Sequence, residues 1–164
     1  MMYKDFRDIL FALNAEKAKY LIVDGYAVSV HTEPRATKDL DLWIKTDAEN
    51  SNAVYRALIR YGAPLAGVTA EDFNTRAQTG FQIGVAPIRI DILHHIDGVI
   101  FDEAWQNRIE TVIDGDIPVH VISREDLLKN KLESGRPRDL LDVEAIREAA
   151  STPKVPSSAA NDLR

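Results

Sequence analysis

Two aspartates one residue apart, Asp39 and Asp41, interrupt an apolar run in the stretch DLDLWI, Asp39 to Ile44. Successive side chains of a β-strand point to opposite faces, so these two carboxylates project together while Leu40, Leu42 and Ile44 take the other face. The apolar half must pack on a core. The carboxylate half resists unpaired burial, because like charges repel and desolvation penalises each of them. Such a strand fits a sheet whose second face opens at this point on water or on a cation. Taken alone, the pair would read as a solvated strand face, so its partners along the chain decide what it is.

Helix and strand patterns alternate around it. Tyr3 to about Lys17 is predicted helical, with Phe6, Ile9, Leu10 and Leu13 on one face. Tyr20 to Val23 is a short buried strand, broken at Asp24-Gly25, and Tyr26 to His31 is a short helix. Asp47 and Gly62 are the expected caps of a helix with Val54, Leu58 and Ile59 inward. Gly62 to Gln78 is expected to be irregular, with one helical turn after Thr69. FQIGV and IRIDIL form a hairpin around Ala86-Pro87, with Ile88, Ile90 and Ile92 on one face and Arg89, Asp91 and Leu93 on the other. FDEAWQN is a short helix, and IETVI pairs with IPVHVI across Asp114-Gly115. Ser123 caps a helix that ends at Gly135, and Pro137 opens another. Trp43 and Trp105 are assigned to the core. The pattern predicts an α/β (α+β) domain over residues 1–150, a mixed sheet flanked by helices with two of them at the C-terminal end. The polar, Pro- and Ser-rich segment 151–164 is expected to be a disordered tail.

Composition narrows the functions. With no cysteine among its 164 residues the chain has no disulfide or thiolate metal site, which suits a reducing cytoplasm. No apolar run approaches the ~20 residues of a membrane span, and MMYKDFRDIL lacks a signal-peptide core. A net charge of −6 argues against broad contact with nucleic acid, although KNKLESGRPR, Lys129 to Arg138, is a local basic patch.

A third carboxylate, Asp91, sits on a later strand among β-formers. Three carboxylates from two strands would make an oxygen-rich pocket suited to Mg²⁺ and substrate phosphates. Gly25, just before a helix, is where backbone N–H groups would receive phosphate oxygens. His94 and His95 invite a metal reading, but adjacent strand residues face opposite sides and cannot readily chelate one ion. A structural role is expected for both, with His94 close enough to Asp91 to border the pocket.

VDGYAV, RATKDLDLWI and the late Lys131 with GRPRDLLD together resemble the nucleotidyltransferase superfamily, the DNA polymerase β-like fold. Within it they are most similar to small bacterial nucleotidyltransferase-like proteins related to abortive-infection toxins, over roughly Tyr20 to Ile146. The resemblance implies that Asp39, Asp41 and Asp91 are metal ligands and catalytic groups, with Asp91 the candidate general base. It implies that Gly25 and Tyr26 form the phosphate-side turn, that Arg35, Thr37 and Lys38 meet phosphates, and that Lys131 approaches the nucleotide. Arg138 and Asp139 would lock the last two helices to the sheet. Asp24 stands where the family usually carries its first glycine. An acid there repels a triphosphate; it either hydrogen-bonds the loop or joins the metal site as a fourth carboxylate.

The activity implied is Mg²⁺-dependent (or Mn²⁺-dependent) transfer of a nucleoside monophosphate from an NTP to a hydroxyl, on a tRNA, a protein or a small molecule. An antitoxin or a second copy of the chain is the implied protein partner. The alternatives are a catalytically silent binding module of the same fold, such as a toxin–antitoxin component, and a metal-dependent phosphohydrolase.

Overall fold

A computed structural model of the chain describes residues 2–75 and 80–151. The helix α1 (Lys4–Ala15) leads into β1 (Tyr20–Val23), α2 (Asp24–His31), β2 (Asp39–Ile44) and α3 (Ala48–Tyr61). A 3₁₀ turn over Ala70–Phe73 precedes β3 (Phe81–Ile83) and β4 (Arg89–Leu93). Next come α4 (Phe101–Gln106), β5 (Ile109–Ile113), β6 (Ile117–Val121), α5 (Arg124–Ser134) and α6 (Pro137–Ser151). The strands form one mixed sheet in the order β3-β4-β2-β1-β6-β5. This is the α+β architecture expected, and no described helix is long and apolar enough to cross a membrane.

Local chemistry explains the element ends. Asp47 accepts from the Asn50 amide at 2.7 Å, and Gly62 closes α3 in the left-handed conformation at φ +92°. Ser123 caps α5 in the same way, accepting from the Asp126 amide at 3.1 Å. The helix after β1 starts at Asp24 rather than Tyr26, because Asp24 itself turns the chain. The helical turn expected after Thr69 is present, whereas 76–79 lie outside the described residues. So does the expected tail, except Ser151, which ends α6 as a helical residue.

The core is continuous from α1 through the sheet. Phe6, Ile9, Leu10 and Leu13 of α1 are fully buried, as are Leu40, Leu42 and Ile44 of β2. Trp43 is buried against Phe101 of α4, with ring centroids 5.0 Å apart. Trp105 is only half-buried, a correction to the core assignment: it lies at the margin between Phe101, His120 and the Arg108 guanidinium. Elsewhere α2 packs on β1 and β2 and meets α5 and α6. That contact brings the two C-terminal helices to the mouth of the Asp39–Asp41 strand.

Candidate active site

Strand pairing assembles the acids. β2 lies between β1, antiparallel to it, and β4, parallel to it. In this register Asp41 stands opposite Asp91 on one side and Val23 on the other, with Asp24 the next residue along. Asp39 stands opposite Arg89. Asp39 is exposed, Asp41 half-buried, and Leu40 and Leu42 between and beyond them are sealed in the core.

The electrostatics of this corner are those of a site lacking positive charge. Burial, then the charges of Asp24, Asp91 and Asp39, push the Asp41 carboxyl up to about 7. Asp91 is held by Gln82 Nε2 and Arg89 Nε, each at 3.2 Å, while Arg89 is 3.8 Å from Asp39. One guanidinium serves two acids there. The donor set is all carboxylate oxygen, the chemistry a hard divalent ion takes, although the three acids as they stand here are too far apart to share one ion.

The turn after β1 is tightly specified. Asp24 has φ +56°, a conformation that Gly adopts freely and that Asp and Asn tolerate better than other side chains. At Gly25 a Cβ would stand 2.6 Å from Thr37 Cγ2, so any other residue would push the Thr37 methyl aside, and glycine lets the turn lie close to the segment before β2. Tyr26 is half-buried with its ring edge-on to Phe6 and its hydroxyl 3.5 Å from the Thr37 carbonyl oxygen, a packing role outside the lining of the carboxylate cleft.

Lys131 has a setting that its expected nucleotide role does not describe. Its ammonium is buried, with the side chain 2% exposed. It binds Asp24, Asp139 at 3.0 Å and Asp142 at 3.2 Å. Burial pulls the ammonium pKa down, but Asp24 and Asp139 more than compensate and raise it. Asp139 also accepts from Ser134 at 2.5 Å and Arg136 Nε at 2.9 Å, and Arg35 reaches Asp142 at 3.3 Å. Among the described residues, Asp24, Asp139 and Asp142 are the one acid trio close enough to share an ion, and Lys131 fills it. Asp24 therefore neither bonds within its own loop nor stands free as a fourth metal ligand.

A cleft of 360 Å³ opens between the start of α2, the segment before β2 and the start of α6. Its acids are Asp24, Asp39, Asp41 and Asp142, and its cations are Arg35, Lys38 and Arg138. Thr37 lines it too. The structure thus gathers Gly25, Arg35, Thr37, Lys38, Asp39 and Asp41 around one space, with Asp91 beside Asp41 on the neighbouring strand.

Of the two residues expected to lock the last helices, Asp139 does so through Lys131 and Arg136, and Arg138 does not. Asp139 turns inward, whereas Arg138, one residue earlier on the helix, is 72% exposed and reaches the cleft. His94 is buried on the opposite face, its Nδ1 2.7 Å from the Thr75 carbonyl oxygen, so it does not border the carboxylates. His95 follows Asp91 and Leu93 in alternation and is the one exposed near Asp24 and Lys131. The i, i+3 spacing of Asp139 and Asp142 was the available signal that both face Lys131.

Among protein families, a profile described as "Nucleotidyltransferase of unknown function (DUF6036)" matches residues 5–155. No curated protein matches the chain. Among solved structures, the lincomycin-bound lincosamide antibiotic adenylyltransferase LnuA is similar in fold, with a TM-score of 0.58 at 18% identity over 91% of this chain and 98% of that one. The ANT(2″)-Ia structure in complex with adenylyl-2″-tobramycin gives 0.57 at 19% identity, over 89% of this chain and 86% of that one. A Thermotoga maritima protein described as a nucleotidyltransferase gives 0.55 at 17% identity, over 87% and 88% of the two chains.

Proposed function

The chain belongs to the DUF6036 family of nucleotidyltransferases, and on that footing we propose that it moves a nucleoside monophosphate from an NTP to a hydroxyl acceptor, releasing pyrophosphate. The observation that carries this reading is the register of β2 against β4, which sets Asp41 directly opposite Asp91 beside Asp39. Asp39, Asp41 and Asp91 would hold Mg²⁺ or Mn²⁺, which when bound supplies charge neutralisation and alignment of the attacking and leaving oxygens. Gly25 at the start of α2 would receive phosphate oxygens on backbone amides, and Arg35, Thr37 and Lys38, which line the same cleft, would flank them. Asp91, fixed by Gln82 and Arg89, takes the proton of the attacking hydroxyl. The new bond joins that oxygen to the α-phosphorus as the bond to the β-phosphate bridging oxygen breaks.

An acid-lined cleft on a chain of net charge −6 is a poor seat for a polyanionic tRNA end. A small-molecule or protein hydroxyl fits better. The fold neighbours that modify antibiotics by adenylylation point the same way. The kinship with abortive-infection toxins, and with it an antitoxin or dimer partner, rests on the resemblance of VDGYAV, RATKDLDLWI and Lys131 with GRPRDLLD.

A second reading, a silent binding module, is favoured by one observation: Asp24 adds a carboxylate to the phosphate side and engages Lys131. A thermal-shift titration with each NTP, with and without Mg²⁺, separates the two. Transfer predicts a Tm rise that needs both nucleotide and metal and disappears in Asp41→Asn. Silence predicts no rise in the natural chain and a rise in Asp24→Gly.

A further inference from the structure

We infer that Arg138 is the cation of the C-terminal helices that grips the phosphates of the incoming nucleotide, at the pyrophosphate end that leaves, and that Asp24 is its resting partner. This rests on the nucleotidyl-transfer reading of the cleft and assigns within it a residue whose expected role was structural.

The first ground is which cations are already committed. Lys131 is enclosed by three carboxylates and 2% exposed. Arg136 is held on Asp139 at 2.9 Å, Arg35 on Asp142 at 3.3 Å, and Arg89 on Asp91 at 3.2 Å. Arg138 differs from all of these. Among the described residues its one acidic partner is Asp24, at 3.9 Å, a separation beyond hydrogen bonding and within Coulomb attraction. An arginine with its fork of donors unused, standing in a cleft, is a ready phosphate ligand.

The second ground is position. The reacting phosphorus must lie by Asp39, Asp41 and Asp91, so the remaining phosphates extend towards the first turn of α2, where Asp24 and Arg138 meet. The arm of Arg138 also springs from a fixed point. Its neighbour Asp139 is locked by Ser134, Lys131 and Arg136, which pins the first turn of α6 against α5. The backbone of Arg138 is thus fixed before binding, so the exposed side chain alone has to be ordered.

The third ground is charge balance. With Lys131 satisfying one Asp24 oxygen, the other oxygen attracts Arg138 only at long range. Phosphate oxygens at hydrogen-bond distance outcompete that contact. An acid in the glycine's place then orients the empty cleft's arginine and weakens anion binding, without abolishing it.

The test is calorimetric titration of the intact chain with Mg²⁺-tripolyphosphate, a probe with no base and no transferable nucleotide. Arg138→Met is expected to weaken binding about tenfold or more, the loss of charge-assisted hydrogen bonds to phosphate. Arg138→Lys is expected to recover part of it, because charge returns without the fork. Tm of unliganded Arg138→Met should stay close to that of the natural chain, since the side chain is exposed. Asp24→Asn, which keeps the left-handed turn, is expected to bind several-fold more tightly. Unchanged affinity in Arg138→Met, with Mg²⁺-dependence still lost in Asp41→Asn, overturns the role of Arg138 and leaves the transfer reading standing. Unchanged or weaker binding in Asp24→Asn overturns the resting partnership. No binding by the natural chain removes the transfer reading and this inference with it.

Discussion

Position 24 combines two demands that a single residue rarely meets. Its backbone must turn left-handed at φ +56°, and its carboxylate must reach a lysine of α5. Glycine meets the first demand only; Asp meets both at some conformational cost. The lysine at the other end is the more fragile member. Lys131 is the single cation buried among Asp24, Asp139 and Asp142, so Lys131→Met leaves three carboxylates facing an apolar stem. Removing one partner of such a network is more costly than the network's net worth. A loss of ~3–5 kcal/mol in unfolding free energy is expected, read as a fall in the urea midpoint of the variant. From sequence, Lys131 was visible as part of a motif, but its burial was not, because Lys and Asp give no hydrophobic signal and their pairing joins residues 107 apart.

Elements bounded by side-chain caps were the easiest to read. Asp47 and Gly62 enclose α3, and Ser123 and Gly135 enclose α5, because each residue type satisfies orphan backbone groups or a left-handed turn by itself. Asp47→Ala removes the acceptor for the Asn50 amide and is expected to cost about 1 kcal/mol, seen as a Tm drop of a few degrees. The cost should exceed that of an uncapped surface change, because Asn50 is itself buried and ties Lys19 and Lys45 together through three hydrogen bonds. Among the short elements FDEAWQN was legible as the helix α4, whereas the start of α2 was set by one left-handed aspartate.

At the scale of the whole molecule, three helices and the sheet are tied by a charged cage. Asp24 comes from α2, Lys131 from α5, and Asp139 and Asp142 from α6, while Arg35 joins from the segment before β2. This predicts how the fold responds to acid. Burial alone would raise the Asp139 carboxyl; hydrogen bonds from Ser134, Lys131 and Arg136 outweigh it and hold the group at about 2, below the ordinary 3.8. A carboxylate depressed in the folded state stabilises fully above its unfolded pKa and loses that contribution as pH falls through its folded one. Stability is therefore expected to drop by about 2 kcal/mol on this account between roughly pH 4 and pH 2. Denaturant melts across that window should show the drop in the natural chain. Asp139→Asn should start less stable and be flatter there.

Alternation and turn chemistry, which are local, determined where the strands lie, which faces are apolar and that Asp39 and Asp41 project together. The strand pattern was sufficient to single out Asp91, and the family resemblance to single out Gly25 and the GRPRDLLD segment. Strand partnership was not local: nothing in DLDLWI or RIDIL states that the two run side by side and parallel, and only that pairing sets Asp41 opposite Asp91. The tertiary structure also decided the division of labour between Lys131 and Arg138. Both are cations near one motif, but helix geometry turns the first into the protein and the second out to the cleft. Charge has no preferred partner along a chain; which carboxylate neutralises it depends on packing distances that exist only once the helices have docked.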